Sequence, residues 1–248
     1  MTSAPPCQLL QWDTEFFGFP VARVLSDQLT AEFNVQIDDW CRENRIACLY
    51  FSSRGDDPIT TQVAARNGYE LTDLRMTFEN RDRANWRSEN QPGIRPARPE
   101  DLADLMAIAS NSHRDTRFYF DQRFSRERCS RLYSIWIEKS CTGSADAVWV
   151  AENNGKACGY VTCKINKADQ VGNIGLIAVA DSARGRGTGS ALIRQAMNWF
   201  ADQNASNITV VTQGRNVAAQ RLYQRLGFVT RSLELTYHKW FYKPAFTS

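Results

Sequence analysis

Along the carboxy-terminal part of the chain, the apolar positions change their spacing at short intervals. In IRPARPEDLADLMAIA (94–109), a brief extended stretch gives way at Pro99 to two acids, then to Leu102, Leu105, Met106 and Ala109 at helical spacing. Proline and acids in a first turn suit a helix start, so a strand and then a helix are predicted. AVWVAENNGKACGYVTCKI (147–165) holds two β-rich runs about an Asn-Asn-Gly turn, which predicts a hairpin. VGNIGLIAVA (171–180) predicts a third strand, after which Leu192, Ile193, Ala196 and Phe200 share one helix face. NITVV (207–211) reads as a strand, NVAAQRLYQRLG (216–227) as a helix closed by Gly227, and VTRSLELTYHKW (229–240) as a last strand. Strands interrupted by helices define an α/β fold class.

The same grammar occurs earlier. Residues 49–78 align without gaps on residues 208–237, with Gly55 on Gly214, Arg66 on Arg225, Gly68 on Gly227, Tyr69 on Phe228 and Leu74 on Leu233. Each copy reads strand, helix, glycine, strand, as expected of a duplicated half-domain. Between them, RANWRSENQPG (83–93) is polar and turn-rich and reads as a linker. Two domains are therefore expected, 1–90 and 93–248.

Composition narrows the class. The 248 residues are 43% hydrophobic and 23% charged, which describes a soluble globular protein. No apolar run approaches the ~18 residues a membrane span needs, and the start, MTSAPPCQLLQWD, lacks the pattern of a secretory signal. Seven scattered cysteines without a C-x-x-C pair read as free thiols in a reducing cytoplasm. With only His113 and His238 available, no metal site is expected. A net charge of +3 is too small and mixed for a nucleic-acid footprint. Between His113 and Arg131, six arginines face three acids; a solvated helix face or an anion site would each suit such a run.

The sharpest chemical signal is ADSARGRGTGSALI (180–193), where a strand ends in three glycines and two arginines just before a helix. Bare backbone at a helix start makes an anion cradle. A nucleotide P-loop would require a lysine after the last glycine, and Gly189-Ser190-Ala191 has none. The spacing of Gly185, Gly187 and Gly189 also departs from the dinucleotide fingerprint.

What fits is Arg-x-x-Gly-x-Gly after the apolar Ile177-Ala178-Val179. Together with IRPARPEDL and NVAAQRLYQRLGF, this resembles the GCN5-related N-acetyltransferase (GNAT) superfamily over residues 93–241. The resemblance implies a GNAT fold, a mixed and mostly antiparallel sheet flanked by helices, preceded by a truncated GNAT-like half-domain. It implies acetyl-CoA as cosubstrate and no metal. Arg184, Gly185, Arg186, Gly187, Thr188, Gly189 and Ser190 would hold its pyrophosphate. The strand through Ile177, Ala178 and Val179 would pair with the pantetheine, its neighbouring strand splayed away, and Asn216 would bond the same arm. Tyr223, seven residues beyond Asn216 and so on the same helix face, would be the catalytic general acid; a phenol of pKa ~10 can protonate a departing thiolate. Asp181 stands where the family commonly has proline.

QWDTEFFGFP (11–20), TRFYFD (116–121), RLYSIWIEKS (131–140), IGLIAV (174–179) and TQGRNVAAQRLYQRLG (212–227) resemble the subgroup that acetylates TDP-linked 4-amino-4,6-dideoxygalactose for bacterial surface glycans. That likeness gives the arginine run a use, since guanidinium groups grip phosphate. Arg117 is the candidate for the diphosphate, with Tyr119 and Trp136 as sugar-facing surfaces. His113 is a candidate base, behind loss of the amine proton to water. The expected partners are therefore acetyl-CoA and a nucleotide-linked amino sugar, with no nucleic acid or membrane, and a homodimer stays open. Another amine acceptor, or a silent acyl-CoA binder, are the alternative functions.

Overall fold

A computed structural model describes residues 4–89 and 91–242 of the chain. The first three residues of the amino-terminal segment, residue 90 of the linker and residues 243–248 lie outside the described part. In chain order the elements are β1 (Cys7–Leu9), α1 (Gln11–Phe17), β2 (Val21–Val24), α2 (Ala31–Glu43), β3 (Cys48–Arg54), α3 (Pro58–Arg66), β4 (Glu70–Asn80), β5 (Ile94–Pro96), α4 (Leu102–Asn111), α5 (Arg117–Phe120), α6 (Arg126–Lys139), β6 (Ala147–Asn153), β7 (Lys156–Asn166), β8 (Val171–Val179), α7 (Thr188–Asp202), β9 (Asn207–Gln213), α8 (Val217–Arg225) and β10 (Val229–Trp240). Local chemistry sets several boundaries. Thr30 accepts from Phe33 N–H to start α2, and Asp57 accepts from Ile59 N–H ahead of Pro58 to start α3.

The chain packs as two compact units. The first comprises described residues up to Arg75, Thr116–Arg128 and those from Leu233. Its strands run in the order β1, β2, β3, β10. β2 lies parallel to β3, while β10 runs antiparallel to β3 from Cys48↔Trp240 to Arg54↔Glu234. Cys48, Leu49, Tyr50 and Phe51 are all buried, so β3 is covered on both faces. Leu49 and Phe51 pack with Ile37, Cys41 and Ala64 of α2 and α3. Tyr50 and His238 share the other side with Phe118 and Phe124, the rings lying about 5–6.5 Å apart.

The second unit comprises Met76–Asp115 and Cys129–Ser232. Its strand order is β4, β9, β8, β7, β6, β5. β5–β6, β6–β7 and β7–β8 pair antiparallel, and β8–β9 pairs parallel. The core lies under α7, whose Leu192, Ile193, Ala196 and Phe200 meet Val161, Ile174 and Val210. The 83–93 stretch is more than a connector. Trp86 is buried, with its indole N–H on Asn80 Oδ1 at 2.8 Å, and Ser88 is tied to Asn198 of α7. Asn80 also donates to Leu226 C=O at the end of α8, so one buried amide joins the stretch to the helix that carries Tyr223.

Candidate active site

β8 and β9 pair from Val171↔Asn207 only as far as Ile174↔Val210, although β8 continues to Val179 and β9 to Gln213. Gly175 to Val179 therefore present backbone on the β9 side beyond the last paired residue. On the other side, β8 carries one extra residue against β7. Between Val161↔Ile177 and Cys163↔Ile174, Gly175 and Leu176 face Thr162, and Leu176 N–H donates to Thr162 Oγ1 at 2.8 Å. Such a bulge bends and twists a strand, a physical reason for the separation from β9. A glycine inside a strand pattern is a bulge signal; Gly175 carried it in the sequence, but Thr162 was identified only by the fold.

After β8 the chain makes a turn at Asp181–Ala183 and enters the glycine loop. Arg184 folds back, its Nε on Val179 C=O at 3.2 Å and its guanidinium paired with Asp181 at 2.9 Å. That pairing is the work Asp181 does here. Gly185 and Gly187 have φ of 76° and 83°, with open space where a side chain would stand. The first helical bond of α7 is Ala191 N–H to Gly187 C=O at 3.0 Å. The N–H groups of Thr188, Gly189 and Ser190 thus precede the ladder at the positive end of the helix dipole. A cleft of about 290 Å³ opens there, bounded by Ala183, Arg186, Gly187 and Thr188 on one side and Gly93, Glu152 and Asn153 on the other. Unladdered N–H groups, an open concavity and an unpaired strand leading to it suit a diphosphate with an amide-bearing arm.

Asn216 is the N-cap of α8, its side-chain oxygen accepting from Ala219 N–H at 3.1 Å. Capping uses the oxygen and leaves the amide NH₂ as the donor for a ligand. Tyr223, on the same helix, is buried, its ring 5.8 Å from Phe78 and 6.0 Å from Phe228. Burial pushes its phenol pKa up, so the hydroxyl keeps its proton at neutral pH.

The acceptor candidates divide between the units. Arg117, in the first, holds its guanidinium 4.2 Å above the Tyr50 ring and 4.8 Å from that of Phe118. Tyr119, also in the first, receives Arg126 over its ring at 5.5 Å. Arg123 bonds Glu70 and Asp121, and Arg128 donates to Phe16 C=O. Arg117, Arg123, Arg126 and Arg128 thus engage protein groups, so the arginine run is not a plain solvated face. Trp136, in the second unit, is half-buried, with Tyr133 5.2 Å away edge-on. His113 stacks on Tyr133 at 4.6 Å and meets the Tyr160 hydroxyl at 3.0 Å. Desolvation pushes its pKa down to about 4, which makes it a weak base.

Sequence reading passed over one polar group. His238, fully buried in the first unit, bonds Asp121 through Nδ1 at 2.8 Å, while its Nε2 has no hydrogen-bond partner. Among the described residues no cluster of three metal-ligating side chains occurs, no helix is long and apolar enough to cross a membrane, and all seven cysteines are free thiols.

A strand that parts from its neighbour just before a glycine-rich helix start thus offers one continuous place for a phosphate-bearing ligand. Residues 106–228 match the sequence model of the acetyltransferase (GNAT) family. The chain belongs to that family, whose members use acetyl-CoA. A dTDP-fucosamine acetyltransferase from Escherichia coli O6:H1 is 27% identical over 225 residues, covering 88% of this chain and 91% of that protein. The spore coat polysaccharide biosynthesis protein SpsD of Bacillus subtilis is 28% identical over 145 residues, 58% of this chain. The matched region spans half the length of the Bacillus protein. A GCN5-related N-acetyltransferase from Sphaerobacter thermophilus shares the fold, with a TM-score of 0.70 at 16% identity over 97% of this chain and 77% of that one.

Proposed function

We propose that the protein transfers the acetyl group of acetyl-CoA to the amine of a TDP-linked 4-amino-4,6-dideoxy sugar. The observation that carries the donor half is the end of β8–β9 pairing at Ile174, five residues before β8 itself ends at Val179 and runs on through the glycine loop to a helix start with unladdered N–H groups. In this reading the backbone from Arg184 to Ser190 holds the pyrophosphate, and Ile177, Ala178, Val179 and Asn216 hold the pantetheine arm. The acceptor half is supported by the names of two relatives, one a dTDP-fucosamine acetyltransferase and one a protein of spore coat polysaccharide synthesis. Surface-glycan synthesis, beginning in the cytoplasm, is the setting this implies. The matching strand–helix–strand runs of β3–α3–β4 and β9–α8–β10 support a truncated half-domain in residues 1–90 and a catalytic domain in 93–248.

The reaction is direct attack. The neutral sugar amine forms a C–N bond at the thioester carbonyl, the excess proton on nitrogen passes to water, and the C–S bond breaks. The Tyr223 hydroxyl gives its proton to the departing thiolate and recovers one from solvent. Backbone N–H donors on β8 would stabilise the carbonyl oxygen as charge develops. On the acceptor side, Trp136 is the candidate in the unit that carries the donor residues. Thiol release from acetyl-CoA is to be measured against a panel of TDP- and UDP-linked amino sugars. Turnover with a TDP-4-amino sugar well above that with spermidine, an aminoglycoside or a peptide amino terminus is the expected result; the reverse order would retire the acceptor reading.

A further inference from the structure

The second unit contains another cleft, of about 300 Å³, between the carboxy-terminal end of α6 and strands β7 and β8. Strand alternation places it on the sheet face away from α7. Val161, Cys163 and Ile174 point into the core under α7, so Thr162, Lys164, Asn173 and Gly175 point the other way and line this cleft. Trp136 and Lys139 close it from the helix side.

Two features separate this cleft from an ordinary surface fold. The first is charge: two lysines and no carboxylate line it. The neighbouring Asp146 is bonded to Ile165 N–H at 2.7 Å. Lys164 gives one hydrogen bond to Ser144 C=O at 3.0 Å, which leaves an ammonium two further donors. The second is position. The cleft reaches β8 at Gly175 and Leu176, where the strand has just left β9. A Cβ on Gly175 would stand 2.9 Å from Thr162 Oγ1, so the wall is flat there because it has no side chain.

The inference rests on the donor placement proposed above. From Val179 back to Gly175 is four residues, or ~13 Å of strand. An arm anchored by its diphosphate on the loop after Val179 and laid along β8 would end where this cleft begins. Lys164 faces Asn173 in the β7–β8 register, three residues before Leu176, or ~10 Å along the strand. A pyranose with an amine at C4 and a diphosphate on C1 carries the two groups at opposite ends of its ring. It can therefore direct the amine to Leu176 and the phosphates to the lysines.

We propose that this cleft is the acceptor's diphosphate subsite, with Lys139 and Lys164 holding the phosphates of a nucleoside diphosphate sugar and Trp136 packing against its sugar ring. The diphosphate thereby falls to these lysines and not to Arg117. About 300 Å³ is small for a ligand site, so the nucleoside extends beyond it.

The test is calorimetric titration of thymidine diphosphate into the full chain, comparing wild type, the Lys139→Met/Lys164→Met double variant and Arg117→Met. Loss of charged hydrogen bonds should weaken binding to the double variant by roughly tenfold to a hundredfold, with Arg117→Met close to wild type. Lys139→Arg/Lys164→Arg should bind as wild type does. Thermal protection by acetyl-CoA, unchanged in every variant, reports that the fold is intact. Equal thymidine diphosphate affinity in wild type and double variant, no binding by wild type, or loss confined to Arg117→Met would each overturn the proposal. Lysine-dependent binding without acetylation of any TDP-amino sugar would leave the subsite standing and retire the acceptor reading alone.

Discussion

In the proposed reaction a phenol protonates a thiolate, so it has to be protonated first, and the surroundings of Tyr223 ensure that. Its ring is packed by Phe78 and Phe228, and burial raises the pKa above the ordinary value of 10. The sign follows directly. The ionised form is the disfavoured one, so the acid stays competent throughout neutral pH and past pH 10. Replacing Tyr223 with Phe keeps the packing and removes the donor. The expected outcome is a kcat lower by ~10²–10³-fold with both KM values little changed, measured against a TDP-amino sugar. No decline in wild-type kcat between pH 7 and 10 should trace to this residue, whereas a phenol of ordinary pKa would bring one near 10. A Tyr223→Phe protein with wild-type kcat would remove the hydroxyl from the reaction. His113 is tuned the other way: with a pKa near 4 it has little appetite for an ammonium proton, and water remains the better acceptor.

At the scale of elements, the proposed donor site consists of two helix starts and a strand edge. Gly187 occupies the left-handed region at the entry to α7, so Gly187→Ala should cost about 1–2 kcal/mol of stability through strain alone. Gly187→Glu adds a carboxylate to the anion cradle. It should abolish thermal protection by acetyl-CoA, while the alanine variant retains part of it. Equal protection of wild type and Gly187→Glu would dismiss the loop assignment. Asn216 allows a finer separation, because it caps α8 with its oxygen. Asn216→Ala should cost about 1 kcal/mol. Asn216→Asp keeps the capping oxygen and loses the NH₂, so it should hold stability near wild type yet raise the KM for acetyl-CoA. If Asn216→Asp leaves that KM unchanged, the residue is a cap and nothing more. The loop could be recognised from sequence because glycine at fixed spacing before a helix is a backbone requirement written in one residue type. The bulge at Gly175–Leu176 was harder to see, since its partner Thr162 is brought opposite only by the β7–β8 register.

At the scale of the whole molecule, helices and strands were readable from their periodicity, but their grouping was not. The first unit takes the second half of β10, the strand of the later copy, while the second unit takes the end of β4, the strand of the earlier one. No local pattern encodes such an exchange, which depends on pairings between distant residues such as His238↔Tyr50. Nor does sequence reveal that Trp86, in a polar stretch, is buried.

The exchanged strand also brings His238 to Asp121, and this gives the protein an acid sensitivity that can be worked out. His238 donates from Nδ1 to the Asp121 carboxylate and leaves Nε2 without a partner. A second ring proton would place an unpaired donor in a buried aromatic setting, so the folded ring is neutral. Burial pushes its pKa down to about 4, against the pull of Asp121. Burial opposes the charge on Asp121 as well, but its bonds from His238, Arg123 and Trp240 outweigh that and hold its pKa below the usual carboxylate range. Because the histidine value is depressed, its contribution is fully present above pH 6.5 and is lost as pH falls toward 4. In that window the unfolded chain takes up a proton that the folded chain refuses. A drop from 6.5 to about 4 corresponds to about 3 kcal/mol. His113, with a similarly lowered pKa, loses stability over the same window, so His238→Gln should flatten the dependence of Tm on pH between 7 and 4.5 without abolishing it. The comparison is thermal unfolding of the two proteins across that range at fixed ionic strength. An unchanged slope would mean that His238 takes up its proton alike in the folded and unfolded chain, and a steeper slope that it is charged in the fold and paired with Asp121; either result would overturn the neutral, buried ring.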